Sequence, residues 1–210
     1  MIKVLIADDH AVVRKGLRQI ISETTDIVVA DEADNGHEVL EKISKKDYDV
    51  VVLDISMPGR SGLDVLKQIK KEKPGLSVLI LSIYPEEQYA IRVLKTGASG
   101  YLTKDSAPDE LISAIRKVSK GGKYITPSLA EKLAVHMNSD FEKPPHELLS
   151  NREYQVMRMI ASGKTVGEIA ELLSLSVKTI STYRSRILVK MNMKNNSELT
   201  HYAIKNKLVD

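Results

Sequence analysis

The stretch VVVLDISMPGRSGLD (residues 50–64) sets Asp54 directly after a run of Val and Leu and just before a Pro-Gly turn. Near-continuous apolar runs of this kind form strands covered on both faces, the pattern of a parallel sheet. Two further runs end on charges in the same way: KVLIA (3–7) is followed by Asp8 and Asp9, and SGYLT (99–103) by Lys104. In an open parallel α/β sheet, ligands bind outside the carboxyl ends of the strands. Three carboxylates gathered there repel one another strongly unless a cation sits among them. The arrangement points to a divalent-metal and phosphoryl site.

The surrounding sequence supplies the sheet. Strand patterns at 3–7, 26–33, 49–54, 77–82 and 99–103 alternate with helical patterns near 11–23, 36–46, 62–73, 86–96 and 107–120. Pro58-Gly59, Pro74-Gly75 and Gly97 punctuate the loops and helix ends. This alternation predicts an α/β fold, a doubly wound five-stranded parallel sheet joined by right-handed crossovers. Gly121-Gly122 ends its last helix, which sets a first domain over residues 1–122.

A chain of 210 residues has room for a second, smaller domain. No apolar run approaches the ~20 residues of a membrane span, so no membrane partner is expected. The start MIKVLIADD enters a strand at once without a signal-peptide pattern, which predicts a cytoplasmic protein. The absence of cysteine excludes disulfides, thiolate metal sites and cysteine nucleophiles. The net charge of +3 is unevenly spread: residues 146–210 hold 10 Lys+Arg against 6 Asp+Glu. A small basic segment makes nucleic acid a plausible partner.

Residues 123–147 read as a linker with a short amphipathic stretch, Ser128 to Met137, whose Leu129, Leu133 and Met137 share a face. NSDFEKPPHE (138–147) follows, stiffened at Pro144-Pro145. From residue 148 to 210 the patterns are helical throughout. Ser150 with Glu153, and Thr165 with Glu168, form capping boxes; Leu149 and Tyr154 are placed as a hydrophobic staple. Those helices run to about Ser162 and Leu173, a third from Ser176 to about Met191, and a fourth over roughly Ser197–Lys207.

EIAELLSLSVKTISTYRSRIL (168–188) has the pattern of a helix-turn-helix. Ile169, Ala170, Leu172, Leu173 and Leu175 are expected to pack the first helix and turn, and Val177, Ile180, Ile187 and Leu188 the second. The opposite face offers Lys178, Ser181, Thr182, Arg184, Ser185 and Lys190. In DNA-bound folds of this kind the second helix turns early residues toward base edges and cations toward phosphates.

The acidic array suits a hard cation such as Mg2+, which takes oxygen ligands and keeps several waters. Asp9 and Asp54 are the expected direct ligands, Asp8 acts directly or through water, and Ser56 can add its main-chain carbonyl. Asp54 can attack phosphorus and become an acyl phosphate. Phosphoryl transfer depends mainly on positioning and on neutralising oxygen charge. The metal would hold one phosphoryl oxygen, the Lys104 ammonium a second and the Ser82 hydroxyl a third. Tyr101, taken by itself, reads as core filling with a hydroxyl that needs a polar partner. His10, His37, His136, His146 and His201 show no metal-ligand spacing and read as surface residues.

IADDH (6–10), LDISMPGRSGLD (53–64), LS (81–82) and GASGYLTKD (97–105) resemble the receiver domain of bacterial response regulators, over about residues 1–122. The resemblance implies a flavodoxin-like receiver whose Asp54 accepts phosphate from a sensor histidine kinase, with Mg2+ held beside it by Asp8 and Asp9. It also implies that Ser82 and Tyr101 are a switch pair, Ser82 moving toward the phosphate and Tyr101 turning inward behind it. Receivers commonly carry proline after the lysine, whereas Asp105 stands here. Residues 148–208 are similar to the four-helix DNA-binding domain of the LuxR type found in NarL/FixJ-class regulators. That similarity implies that the helix from about Ser176 to Met191 lies in the major groove. Ser181, Thr182 and Ser185 would then face bases, and Lys178, Thr179, Arg184, Arg186 and Lys190 would be candidates for phosphate contact.

The sequence thus reads as a two-domain transcriptional response regulator, a receiver over 1–122 and a DNA-binding domain over 148–210. Phosphorylation would promote dimerisation or release the DNA-binding domain. Two other classes stay open: a receiver whose helical domain binds protein rather than DNA, and a hydrolase using an aspartyl phosphate. The hydrolase is disfavoured because the chain has no insertion large enough for a substrate cap.

Overall fold

The computed structural model describes residues 1–59, 61–127, 129–131 and 144–209. The chain forms two compact units, Met1–His136 and Met137–Asp210. In the first, strands β1 (Ile2–Ala7), β2 (Ile27–Ala33), β3 (Val50–Asp54), β4 (Ser77–Ser82) and β5 (Gly100–Thr103) alternate with helices α1 (Ala11–Ser22), α2 (Gly36–Lys45), α3 (Gly62–Glu72), α4 (Glu86–Lys95) and α5 (Ala107–Ser119). The strands make one parallel sheet in the order β2-β1-β3-β4-β5. The expected elements are all present, with boundaries moved by a residue or so. The order reverses between β1 and β3, and ligands of doubly wound sheets bind at that switch point.

Alternation along each strand fills both faces. Val4 and Ile6 of β1, Val50 and Val52 of β3, and Leu79 and Leu81 of β4 join Leu17 and Ile21 of α1 and Leu111, Ile115 and Val118 of α5 in one core cluster. The intervening Leu5, Val51, Leu53 and Ile80 are buried as well. Side chains that point to opposite faces and are all buried require helices on both sides of the sheet.

Gly62 opens α3 against the end of β3. A Cβ built there would lie 2.0 Å from the Asp54 carbonyl oxygen, and the Gly62 amide donates to the Ile55 carbonyl at 3.0 Å. The loop carrying Asp54 is thereby closed backbone to backbone. Past α5 the chain returns over β5: the Tyr124 amide donates to the Ser99 carbonyl at 2.8 Å, and the Thr126 hydroxyl to Glu86 Oε2 at 2.6 Å. Gly100 makes the crossing possible, since a Cβ there would sit 2.8 Å from that of Tyr124. Of the amphipathic stretch expected over Ser128–Met137, Leu129 is buried within a helical segment. Leu133, His136, Met137 and most of the 138–147 segment lie outside the described residues.

Among the described residues of the second unit, the first element is a 3-10 turn at Pro145–Leu148, inside and at the edge of the expected linker. His146 in that turn is half-buried, its Nδ1 2.7 Å from the Tyr202 hydroxyl, so it is an internal contact rather than a surface residue. Helices α6 (Asn151–Ala161), α7 (Val166–Leu172), α8 (Val177–Lys190) and α9 (Asn196–Lys205) follow. Both expected capping boxes are formed, at Ser150/Glu153 and Thr165/Glu168. Ile160, Ile169, Ala170, Leu173, Ile180, Ile187, Leu199 and Ala203 are buried. Of the other expected core residues, Leu175 and Leu188 are half-buried, and two are exposed: Leu172 is 55% and Val177 56% exposed. In α7 the buried face passes through Ile169, Ala170 and Leu173, and Leu172 stands about 100° away from Leu173. Val177 stands one turn before Ile180 but is the first residue of α8, where the helix end is open to solvent.

Glu153 is buried and takes the Ser150 amide at 2.7 Å and the Lys190 ammonium at 2.6 Å on one oxygen. Burial alone would push its carboxyl up, but Lys190 and Ser150 outweigh that and hold it below its ordinary value. A lowered carboxyl contributes stability that is lost as pH falls through its folded value.

Two outcomes are expected. Gly62→Ala should destabilise the first unit by about 1–3 kcal/mol in urea unfolding, with the transition of the second unit unmoved. Acid should destabilise the helical unit below the ordinary carboxylate range, and Glu153→Gln should flatten that dependence while costing about 1–2 kcal/mol at neutral pH.

Candidate functional site

Three strand ends meet at the switch point. Asp8 follows β1 and is fully buried; Asp54 ends β3 and is 1% exposed; Lys104 follows β5 with its side chain 12% exposed. The Lys104 Nζ donates to Asp54 Oδ2 at 3.0 Å and lies 2.6 Å from Asp8 Oδ2. The Lys104 amide is held on the Ser82 carbonyl at 2.7 Å, which fixes the turn that contains Asp105. Ser56, expected to offer its carbonyl, is seen donating its amide to Asp54 Oδ1 at 3.1 Å.

Asp9 is partly buried beside this pair. Its Oδ1 and Asp8 Oδ2 accept no hydrogen bond of good alignment, although the first lies 2.9 Å from His10 Nδ1 and the second beside Lys104. His10 itself is exposed, yet its ring bridges both aspartates, the second contact being 3.2 Å to Asp8 Oδ1. Among the described residues, one ligand atom each from Asp8, Asp9, His10 and Asp54 can lie within 4.8 Å of the others, a group that could hold a metal ion. Burial pushes the Asp54 carboxyl above its ordinary value; Lys104 pulls it back, and the charge of Asp8 raises it further. Lys104 is lowered by burial, but Asp54 and Asp8 together lift it above its ordinary value. One ammonium therefore stays charged and does not neutralise the array, which matches the donor chemistry of a hard divalent cation.

Ser82 is fully buried, and its hydroxyl oxygen accepts from the Tyr84 amide at 3.1 Å. Tyr101 is turned inward, 1% exposed, and donates its hydroxyl to the Tyr84 carbonyl at 2.7 Å. Tyr84, which the sequence reading did not single out, thus joins the two residues. Its ring stacks on Tyr89 of α4 with centroids 4.9 Å apart. The signal available in the sequence was weak: a tyrosine two residues past a strand end.

In the second unit, α8 presents Lys178, Ser181, Thr182, Ser185 and Arg186 to solvent, with Thr179 half-buried. Ser176, Lys178, Thr179, Thr182, Tyr183 and Arg186 line one shallow concavity. The Thr182 hydroxyl donates to the Lys178 carbonyl at 2.9 Å and the Ser185 hydroxyl to the Ser181 carbonyl at 3.1 Å, which leaves their oxygens as acceptors. Two of the cationic candidates have side-chain partners outside α8. Arg184 Nε donates to Asn196 Oδ1 at 2.7 Å, tying α8 to the start of α9, and Lys190 is paired with Glu153.

With this geometry in place, comparisons with known proteins give a consistent outcome. Residues 4–116 match the response regulator receiver domain family, and residues 147–203 match the bacterial regulatory proteins of the luxR family. The chain is 39% identical to the oxygen regulatory protein NreC of Staphylococcus carnosus, with 99% of each chain covered. It is 39% identical to the response regulator UvrY of Escherichia coli, covering 99% of this chain and 96% of UvrY. Among solved structures it is similar to RcsB from Salmonella enterica serovar Typhimurium bound to a promoter in the presence of phosphomimetic BeF3−. That likeness has a TM-score of 0.65 at 30% identity and covers 96% of this chain and 98% of RcsB. The chain belongs to the NarL/FixJ family of two-component response regulators, with a receiver domain followed by a LuxR-type DNA-binding domain.

Proposed function

We propose that Asp54 is the phosphoacceptor of the receiver and that its phosphorylation controls promoter binding by α8. The observation that carries this reading is the Lys104 ammonium in contact with the buried Asp54 and Asp8 carboxylates. An Asp54 carboxylate oxygen attacks the donor's phosphorus; the bond to the donor's leaving atom breaks, and that group departs with the electron pair. Lys104, already within reach of Asp54, pairs with a phosphoryl oxygen as the negative charge moves outward. Asp9 and Asp54, with the Ser56 carbonyl and Asp8 directly or through water, would hold Mg2+. When bound, that ion supplies charge neutralisation at the phosphoryl oxygens. A sensor histidine kinase is the expected donor, and turnover of a separate substrate is not expected.

Ser82 and Tyr101 form the switch pair. A Ser82 hydroxyl drawn to the phosphoryl group gives up the Tyr84 amide it now accepts. The Tyr84 backbone then rearranges, and Tyr101, which holds the Tyr84 carbonyl, senses the change. The inward Tyr101 and its contact with the β4–α4 loop support this path.

On the output side, Ser181, Thr182 and Ser185 are assigned to base edges, and Lys178, Thr179, Arg184, Arg186 and Lys190 to phosphates, with α8 in the major groove. Lys178 and Arg186 should carry the larger share of the salt dependence, because Arg184 and Lys190 already serve pairs inside the domain. Promoter binding by RcsB in the presence of a phosphomimetic supports DNA over protein as the output target. The linker expected over residues 123–147 is shortened at both ends, since Tyr124 and Thr126 pack on the first unit and the turn at Pro145–Leu148 belongs to the second; a homodimer is the expected active form, since two linked DNA-binding domains gain from effective concentration. No helix among the described residues is long and apolar enough to cross a membrane, and a cytoplasmic site of action fits this role.

Incubation with acetyl phosphate and Mg2+ should label the wild-type chain once, and Asp54→Ala should abolish the labelling; undiminished incorporation would refute the assignment. Lys178→Ala with Arg186→Ala should weaken DNA binding and lower the slope of affinity against salt by roughly two charges. A slope equal to that of wild type would mean that another surface meets the phosphates.

A further inference from the structure

Asp8 is held from three directions. Its amide donates to the Ala33 carbonyl at 3.1 Å, and its Oδ1 accepts the His10 amide at 2.8 Å. Its main-chain carbonyl accepts from Arg14 Nη1 at 2.7 Å. Arg14 lies near the start of α1, where a cation opposes the helix dipole, so its place calls for a compensating role. Its Nε donates to Glu32 Oε2 at 3.1 Å, and Glu32 in β2 also pairs with Arg18. The main-chain carbonyl of Glu32 accepts from Lys42 of α2. Both partners are largely shielded, with Arg14 17% and Glu32 22% exposed. The rigid guanidinium fork therefore spans two elements, one arm on the backbone of the acidic loop and one on the neighbouring strand, which a lysine cannot reproduce.

We propose that Arg14, braced by Glu32, is a positioning residue for the cation site: by holding the Asp8 carbonyl it fixes the Asp8–Asp9 backbone so that both carboxylates converge with Asp54. This rests on the reading of the acidic pocket as a divalent-cation site. The clamp works through geometry and against charge. By charge alone, a guanidinium near a divalent cation disfavours its binding, so removing Arg14 would tighten the site. By positioning, removing it loosens the site. The two accounts differ in sign.

Mn2+ binding to the full-length chain, followed by electron paramagnetic resonance of the free ion, separates them. Arg14→Ala should weaken Mn2+ binding about tenfold or more, the scale of losing a group that orients metal ligands. Arg14→Lys keeps the charge and the aliphatic stem and covers the case in which the alanine variant does not fold. It should still weaken binding severalfold, whereas Glu32→Gln, which keeps an acceptor for Arg14, should stay within about threefold of wild type. Melting temperatures taken in chelator should be similar for the lysine variant and wild type. Equal or tighter Mn2+ binding by Arg14→Ala, or wild-type binding by Arg14→Lys, overturns the clamp. Asp9→Asn serves as the control: if wild type does not bind Mn2+, or if Asp9→Asn binds as wild type does, the cation-site reading itself falls and the clamp with it.

Discussion

Lys104 Nζ lies 2.6 Å from Asp8 Oδ2 and 3.0 Å from Asp54 Oδ2, and the first unit is organised around this meeting of one ammonium with two buried carboxylates. Taking such charges out of water costs several kcal/mol each, and the cost is met only when geometry and further hydrogen bonds are good. The strands supply that geometry. β1 and β3 are neighbours in register, with Ala7 beside Leu53, so Asp8 and Asp54 emerge side by side. β5 reaches the pair from across β4, and the Lys104 amide is anchored on Ser82. Because the array keeps an excess of negative charge, it is poised to take a cation and then a phosphoryl group. On the proposed reading, the phosphoryl group would take over partners that Lys104 and Ser82 now hold. A site built in this way suits a switch, since what changes is which oxygen each group holds.

The helical unit divides its cations between two tasks. Lys190 and Arg184 reach inward to Glu153 and Asn196 and fix α8 against α6 and α9. Lys178 and Arg186 face outward along the exposed side. In the proposed docking a recognition helix must be held rigidly to read a groove, and these internal pairs are what hold α8 in place. In the turn before α8, Ser174 adopts φ 52°, a left-handed conformation that non-glycine residues adopt at a cost.

The sheet, its order of elements and the charged strand ends were legible because each rests on local pattern: apolar runs, helix starts and residues just past a strand. Asp8, Asp9, Asp54, Ser82 and Lys104 could all be named that way. Tyr84, Gly62 and Arg14 could not, because their parts are played through backbone atoms that sequence pattern does not display. Gly62 matters for the space over the Asp54 carbonyl, and Arg14 for a bond to a main-chain oxygen. Leu172 and Val177 were expected in the core, whereas Leu172 is turned off the buried face by the helical period and Val177 is exposed at the first residue of α8. Lys190 reads as a surface cation from its helical position, because its partner Glu153 lies far away in sequence.

The central claim is that the phosphorylation state of Asp54 sets the DNA affinity of a separate helical unit. Fluorescence anisotropy of the full-length protein on fragmented genomic DNA at fixed salt, with and without acetyl phosphate and Mg2+, measures that coupling directly. The account predicts tighter binding on phosphorylation by about tenfold, a coupling of about 1.4 kcal/mol. Equal affinity in both states, with phosphorylation verified on the same sample, would contradict it.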